Sequence, residues 1–287
     1  MTQLPVLEVG GTHVTTAWAS ESGDVEVVDR VGLNNAAPAD ELLALLVEAG
    51  RGLLAPPGSV WGAAVPGPFD YPSGIGDYTG VDKFQSLHGV DVGAHLRRGL
   101  SAASVHFIND ADAFGVGEWL AGALRGCRRG VAMTLGTGIG SAFIADGLPV
   151  TSGDEVPHLG EVHTIRINGV PLEEIVSRAA IRATYRDLTG EWLDVKEIAE
   201  RAYAVEPAAL EVFDDAFAAL AEAMVPVLDR FGAEALVIGG SIAQSRELVS
   251  EYLAGRLTLP VSISPDPTRS ALVGTAHWAL QGGGYST

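Results

Sequence analysis

The sequence predicts an α/β protein built as two similar lobes, and three observations carry that reading. The first is an apolar run of strand length, Val131 to Leu135, that breaks into Gly136-Thr137-Gly138-Ile139-Gly140 before a second β-branched stretch. The second is an earlier copy of the same plan, Val6-Leu-Glu-Val-Gly10-Gly11-Thr12-His13-Val-Thr-Thr16, about 125 residues upstream. The third is that most other strand-like runs lead into stretches with helical spacing, the alternation that builds α/β sheets. Glycines in such turns leave backbone N–H groups free to face a phosphate without Cβ obstruction. Either copy alone also reads as a Gly-rich hairpin turn. Two copies suggest two lobes that each offer a turn to one polyphosphate. No G-x-x-x-x-G-K-[ST] occurs, and no Rossmann G-x-G-x-x-G opens the chain.

In order, Pro5 to Ala19 reads as strand, turn, strand, and Val25 to Val28 as a third strand after the Glu21–Asp24 turn. Leu42, Leu43, Leu45, Leu46 and Leu53 give Pro38 to Leu54 a helical pattern. Ser59 to Val65 is a buried strand ending in Pro66-Gly67-Pro68-Phe69-Asp70. Two prolines around a glycine make a rigid turn, either a strand terminator or a backbone shelf beside a ligand. Tyr71 to Leu87 lacks periodicity and is expected as a long loop. A helix over Asp91 to Leu100 precedes the strand Ser104 to Ile108, which ends in Asn109-Asp110-Ala111-Asp112 and a further helix. A carboxylate at a strand's end sits where open α/β sheets bind ligands, although an acid at that junction also serves as a helix N-cap. Asp112 better suits the cap and Asp110 the ligand.

Beyond the second glycine turn, His158, Glu161, His163, Glu173 and Glu174 crowd one stretch, but their spacing matches no common zinc arrangement. His163 is expected to hydrogen-bond. Leu172 to Arg186, Val195 to Tyr203 and Pro207 to Phe231 read as helices, and Ala235 to Ile238 as a strand ending in Gly239-Gly240-Ser241. A short strand, Pro260 to Ile263, and a small-residue helix, Ala271 to Leu280, complete the chain.

Composition narrows the partners. Among 287 residues, 18 Lys and Arg face 36 Asp and Glu, a formal charge of −18 that repels nucleic acid and anionic membranes. An anionic substrate must therefore be gathered by local glycine turns and a metal cation. The single cysteine, Cys127, excludes an internal disulfide and a multi-cysteine zinc site. With neither a signal-peptide pattern nor a membrane-length apolar run, a cytoplasmic location is expected.

Together these segments resemble the ROK family of sugar kinases, named for repressors, open reading frames and kinases. Its D-x-G-G-T-K motif corresponds to Glu8-Val9-Gly10-Gly11-Thr12-His13, its P-G-P-x-D turn to Pro66 through Asp70, and its N-D-A-N motif to Asn109-Asp110-Ala111-Asp112. Gly136 through Gly140 matches the second phosphate turn, Gly160-Glu161-Val162-His163 the G-E-x-G-H element, and Leu172-Glu173 through Ser177 the L-E-x-x-x-S element. Six motifs in order span nearly the whole chain.

The resemblance implies a duplicated actin/hexokinase-like ATPase fold, two lobes with a ligand cleft between them. Residues 1–109 would form the N-terminal lobe, with a C-terminal helix over 271–287 packing back onto it, and 110–270 the other lobe. It implies ATP-dependent phosphorylation of the 6-hydroxyl of a hexose such as glucose, with Asp110 as base. Gly67, Asn109, Asp110, Glu161, His163 and Glu173 would hold the sugar. Gly10, Gly11, Thr12, His13, Thr137, Gly138, Gly239 and Gly240 would hold ATP, with Glu8 an indirect Mg²⁺ ligand. A homodimer without nucleic-acid or membrane partners is also implied.

Two departures stand out. Glu8 and His13 replace the family's Asp and Lys, and the cysteine-rich zinc loop gives way to Thr164 through Pro171, so no structural zinc is expected. The Asn168-Gly169 turn is expected to orient His163 and Glu173 instead. A reshaped wall leaves a kinase of an amino sugar or cyclitol as an alternative, and a non-catalytic sugar-binding protein as a weaker one. Sugar-sensing repressors of the family carry a DNA-binding extension before the first glycine turn, and with the first strand starting by Val6 no such extension is expected here.

Overall fold

The computed structural model describes residues 2–285, the side chain of Ala254 aside. Two compact units divide the chain: residues 1–122 with 268–287, and residues 123–267.

The first unit begins with an apolar hairpin. Strand β1 (Leu4–Val9) and β2 (His13–Ala19) pair antiparallel around the glycine turn, Val9 opposite Val14. Strand β3 (Val25–Gly32) runs four residues past its expected end, because His13 pairs with Gly32 and Thr15 with Arg30. Helix α1 (Ala39–Arg51) buries Leu42, Leu43 and Leu46 and places Asp40 and Glu41 at its positive end. Strand β4 (Val60–Val65) lies parallel to β1.

The expected long loop after β4 is instead packed. Its short strands β5 (Phe69–Asp70) and β6 (Ile75–Gly76) pair, and Phe69, Tyr71, Tyr78 and Phe84 form a chain of ring contacts 5.3–6.2 Å between centroids. Aromatic burial without periodicity holds the segment where a pattern search sees only a loop. Helix α2 (Val92–Gly99) follows with Asp91 as its N-cap. Strand β7 (Ser104–Asn109), parallel to β4, then leads directly into α3 (Asp110–Ala121).

The second unit repeats the opening. Strands β8 (Arg129–Leu135) and β9 (Ile139–Ala145) pair antiparallel across the second glycine turn, and β10 (Leu148–Pro149) extends the edge. A hairpin of β11 (Arg166–Ile167) and β12 (Val170–Pro171) turns through Asn168 and Gly169, at φ +51° and +84°. The helix expected from Leu172 to Arg186 is two. Ser177 is extended and caps α5 (Arg178–Thr189) with its hydroxyl, which interrupts the helix after α4 (Glu173–Val176). Helix α6 (Val195–Tyr203) opens with a capping box from Asp194 and Glu197, and α7 (Pro207–Phe231) ends at Gly232 in the left-handed region. Strand β13 (Ala235–Gly239), α8 (Arg246–Ala254) and β14 (Val261–Ile263) complete the unit. Phe143, Phe213, Phe217 and Phe231 anchor its core.

The two sheets have the same design. Their orders are β3-β2-β1-β4-β7 and β10-β9-β8-β13-β14, with three strands paired antiparallel followed by two parallel additions in each. The last helix, α9 (Pro267–Leu280), packs in the first unit, with Leu272 and Ala276 against Val6, Ala17 and Ala19. Gly117 of α3 and Gly274 of α9 bring the two helices into backbone contact that any Cβ would block. This contact keeps α3 with the first unit, so the division falls after Gly122 and Pro267 rather than after residues 109 and 270. Positions 286 and 287 of the expected C-terminal segment lie outside the described residues. Among the described residues no helix is long and apolar enough to cross a membrane.

Candidate active site

Parallel pairing of β1, β4 and β7 brings three motifs to one edge of the first unit's sheet. Glu8 pairs with Ala64 and Val65 with Asn109, so Gly10-Gly11-Thr12, Pro66-Gly67-Pro68 and Asn109-Asp110 all emerge at the strands' carboxyl ends. That edge is where open α/β sheets take ligands.

Asn109, not Asp112, is the N-cap of α3. Its Oδ1 accepts from the N–H of Ala111 at 2.9 Å and of Asp112 at 3.3 Å, a role worth ~1 kcal/mol. Its Nδ2 donates to the Tyr71 hydroxyl at 2.9 Å, which leaves one amide hydrogen for a ligand. Gly67 covers this pair, since a Cβ there would lie 3.2 Å from the Tyr71 hydroxyl.

Asp110 opens α3, its Oδ1 accepting from Ala111 N–H at 2.9 Å. Burial pushes its carboxyl above the usual range, and the Ala111 N–H and the Lys83 charge draw it partly back. Asp112 is buried and is no cap. Burial raises its pKa to about 7, against the lowering effect of a hydrogen bond from Tyr285, while the Asp110 charge pushes it further up.

The Glu8 carboxyl is also raised, first by burial and then by Asp110, with Thr15 and Arg30 acting the other way. Its Oε2 is buried and has no hydrogen-bond partner. An orphaned carboxylate oxygen costs on the order of 1–3 kcal/mol, and it suits a hard cation. Among the described residues no group of three or more His, Cys, Asp or Glu is placed to hold a metal. Magnesium needs fewer, because it is commonly held by one or two carboxylates together with waters and substrate phosphates. Glu8 fits that pattern.

His13 turns toward Arg30. The Arg30 guanidinium lies 2.6 Å from His13 Nε2, and Thr12 Oγ1 lies 3.1 Å from Nδ1. Burial and the Arg30 charge lower the imidazole pKa, which favours a neutral ring that accepts from the guanidinium. Asn35 donates to the Gly11 carbonyl at 2.6 Å and braces the same turn.

The second unit assembles a different edge. β8 and β13 run parallel, Thr134 opposite Gly239, which sets Gly136-Thr137-Gly138 beside Gly239-Gly240. Gly240, at φ +93°, lies on the Leu135 carbonyl, where a side chain has no room. Glu173 binds this turn: its Oε2 accepts from Ile139 N–H at 2.9 Å and lies 2.5 Å from where a Gly138 Cβ would stand.

Glu161 and His163 are neighbours, their side chains 4.0 Å apart. Ser141 fixes their segment by donating to the Gly160 carbonyl at 2.6 Å and accepting from Val162 N–H at 3.1 Å. A backbone bond from Leu172 to Ile165, 2.7 Å, closes the hairpin base between His163 and Glu173. The structure therefore joins Glu173 to the second glycine turn and pairs Glu161 with His163.

Sequence reading missed four contributors. Arg30 lies past the expected end of β3, and Lys83 and Tyr71 sit in a segment read as loop. Tyr285 follows a glycine run that reads as a flexible tail. Only tertiary pairing gives any of them a partner.

The family model of ROK proteins, "ROK family", matches residues 6–281. The chain is 30% identical over 270 residues to a glucokinase from Thermotoga maritima, covering 85% of this chain and 83% of that one. It is similar to the crystal structure of a ROK family glucokinase from Streptomyces griseus in complex with glucose and AMPPNP, at TM-score 0.78 and 19% identity over 98% of this chain and 100% of that one. An inorganic polyphosphate/ATP-glucomannokinase from Arthrobacter sp. strain KM superposes at TM-score 0.70 with 26% identity, covering 98% and 100%. The fold is that of these kinases, and with six motifs in register along almost its full length, the chain belongs to the ROK family, among its sugar kinases.

Proposed function

We propose that the chain transfers the γ-phosphoryl group of ATP to the 6-hydroxyl of a hexose, glucose or a close relative. The observation that carries this reading is Asp110, a desolvated carboxylate at the carboxyl end of β7, next to an Asn109 amide with one hydrogen free. A carboxyl raised toward neutrality by burial is a better proton acceptor than a solvated one.

In the proposed reaction Asp110 takes the hydroxyl proton as the sugar oxygen bonds to the γ-phosphorus and the bond to ADP breaks. Gly67, Asn109, Glu161, His163 and Glu173 hold the sugar hydroxyls. Such contacts reject a sugar with a missing or inverted hydroxyl, because a buried polar group is left unpaired. The backbone of Gly10, Gly11, Thr12, Thr137, Gly138, Gly239 and Gly240 faces the nucleotide, and His13 holds Arg30 beside the first of these turns. Phosphoryl transfer asks mainly for positioning and charge stabilisation. Mg²⁺, when bound, supplies charge neutralisation at the phosphates, and Glu8 is the residue suited to hold it.

A coupled ADP-release assay over glucose, mannose, amino sugars and cyclitols tests the reading. Glucose or mannose is expected to give the highest kcat/KM, with the 6-phosphate as product. Turnover confined to amino sugars or cyclitols overturns the substrate assignment.

A further inference from the structure

The chain's end returns to the sugar motif. Past α9, Gly282 and Gly283 adopt φ +86° and +63°, and Gly283 N–H bonds back to the Trp278 carbonyl at 3.0 Å. This reversal sets the Tyr285 ring 4.9 Å from Trp278 and 5.4 Å from Tyr71, between centroids. Trp278 is itself fixed, its Nε1 donating to the Phe107 carbonyl at 2.8 Å. The Tyr285 hydroxyl accepts from the backbone N–H of Asn109 at 2.8 Å and donates to the buried Asp112 carboxylate.

Two tyrosines from distant parts of the chain therefore clamp one residue. Tyr71 takes the side chain of Asn109 and Tyr285 its backbone, at the junction where β7 becomes α3. β7 ends its sheet, with β4 on one side, so among the described residues no further strand takes the Asn109 N–H. We propose that Tyr285 is a positioning residue for phosphoryl transfer: its hydroxyl ties Asn109 and Asp112 together and so fixes the aim of Asp110 between them. The proposal rests on the reading of Asn109 and Asp110 as sugar-binding and proton-accepting. A part-buried N–H and a buried carboxylate that lose their shared partner shift to find others, and a displacement of about 1 Å at the reacting group can cost ~10²-fold in rate.

The experiment compares Tyr285→Phe, which keeps the ring between Trp278 and Tyr71, with wild type and with Asp110→Asn. Steady-state kinetics in both substrates, thermal melting and amide hydrogen exchange at Asn109 are measured. The expected result for Tyr285→Phe is a fall in kcat of roughly 10–100-fold. The KM for ATP stays within about twofold, and exchange accelerates at Asn109 but not at Phe107 or Ala63 within the sheet. Full turnover in Tyr285→Phe overturns the proposal. So does a loss spread equally over both substrates with a lowered melting point, which marks a purely structural role. An active Asp110→Asn enzyme instead removes the base on which the reading rests, and the exchange result at Asn109 still reports the clamp.

Discussion

The two units carry the same sheet and finish it differently. In the first, the edge formed by β1, β4 and β7 adds to its own glycine turn, Gly10-Gly11-Thr12, a set of side chains: Glu8, Asn109, Asp110 and Asp112, all partly or wholly withdrawn from water. In the second, the edge formed by β8 and β13 ends in glycine backbone, with one carboxylate, Glu173, laid against it. The difference teaches how a duplicated scaffold divides labour. Desolvated carboxylates can accept a proton, whereas the N–H groups of a glycine turn can turn fixed positive dipoles toward an anion.

The comparison breaks most sharply at Asp110. Asp110→Asn keeps the shape and a hydrogen-bonding oxygen but removes the basic site, and turnover is expected to fall ~10²–10⁴-fold with sugar KM changed modestly. Kinetics on a variant with an unchanged melting point check this. A fully active variant would mean that the first unit's edge binds but does not react.

The second unit is tested at Gly138. A valine Cβ meets the Glu173 carboxylate at 2.5 Å and displaces it from Ile139 N–H. A hydrogen bond to a charged group is worth ~1.5–3 kcal/mol, so the KM for ATP is expected to rise tenfold or more. Because Glu173 is also a proposed sugar contact, sugar KM rises with it. An unchanged ATP KM in the folded variant removes the turn from the nucleotide site.

The smallest effect sharpens the first unit's electrostatics. Asp112 has a folded-state pKa of about 7, above its ordinary value of 3.8, so the folded state holds a proton that the unfolded state has released. Stability therefore falls as pH rises from about 4 through 7. Asp112→Asn removes that dependence and keeps an acceptor for the Tyr285 hydroxyl. The variant is expected to melt a few degrees above wild type at pH 8, with the gap closing toward pH 4. A constant gap across that range shows that Asp112 is not the titrating group.

What was legible in the sequence follows from range. Both glycine turns, the Pro66–Pro68 shelf and the strand-to-helix junction at Asn109 are local patterns, and each folds as its residues demand. The cap of α3 was misread because Asn109 and Asp112 both have capping side chains. Only the extended backbone of Asn109, at φ −61° and ψ 143°, decides between them. The break at Ser177 hid for the same reason, since a serine inside a helical pattern is silent until its hydroxyl caps the next helix.

By itself the sequence determined the family, the duplicated strand–glycine–strand plan and the order of the motifs, because periodicity and turn chemistry act over a few residues. Tertiary structure alone decided which motifs share an edge, since parallel pairing of β1, β4 and β7 joins residues some fifty positions apart. It also raised the carboxyls of Glu8, Asp110 and Asp112 above their ordinary range, through burial that no local pattern encodes. Arg30 reached His13 only through strand register, and Tyr285 reached Asn109 only because Gly282 and Gly283 turned the chain back. Such contacts depend on distance in space, to which spacing along the chain is blind.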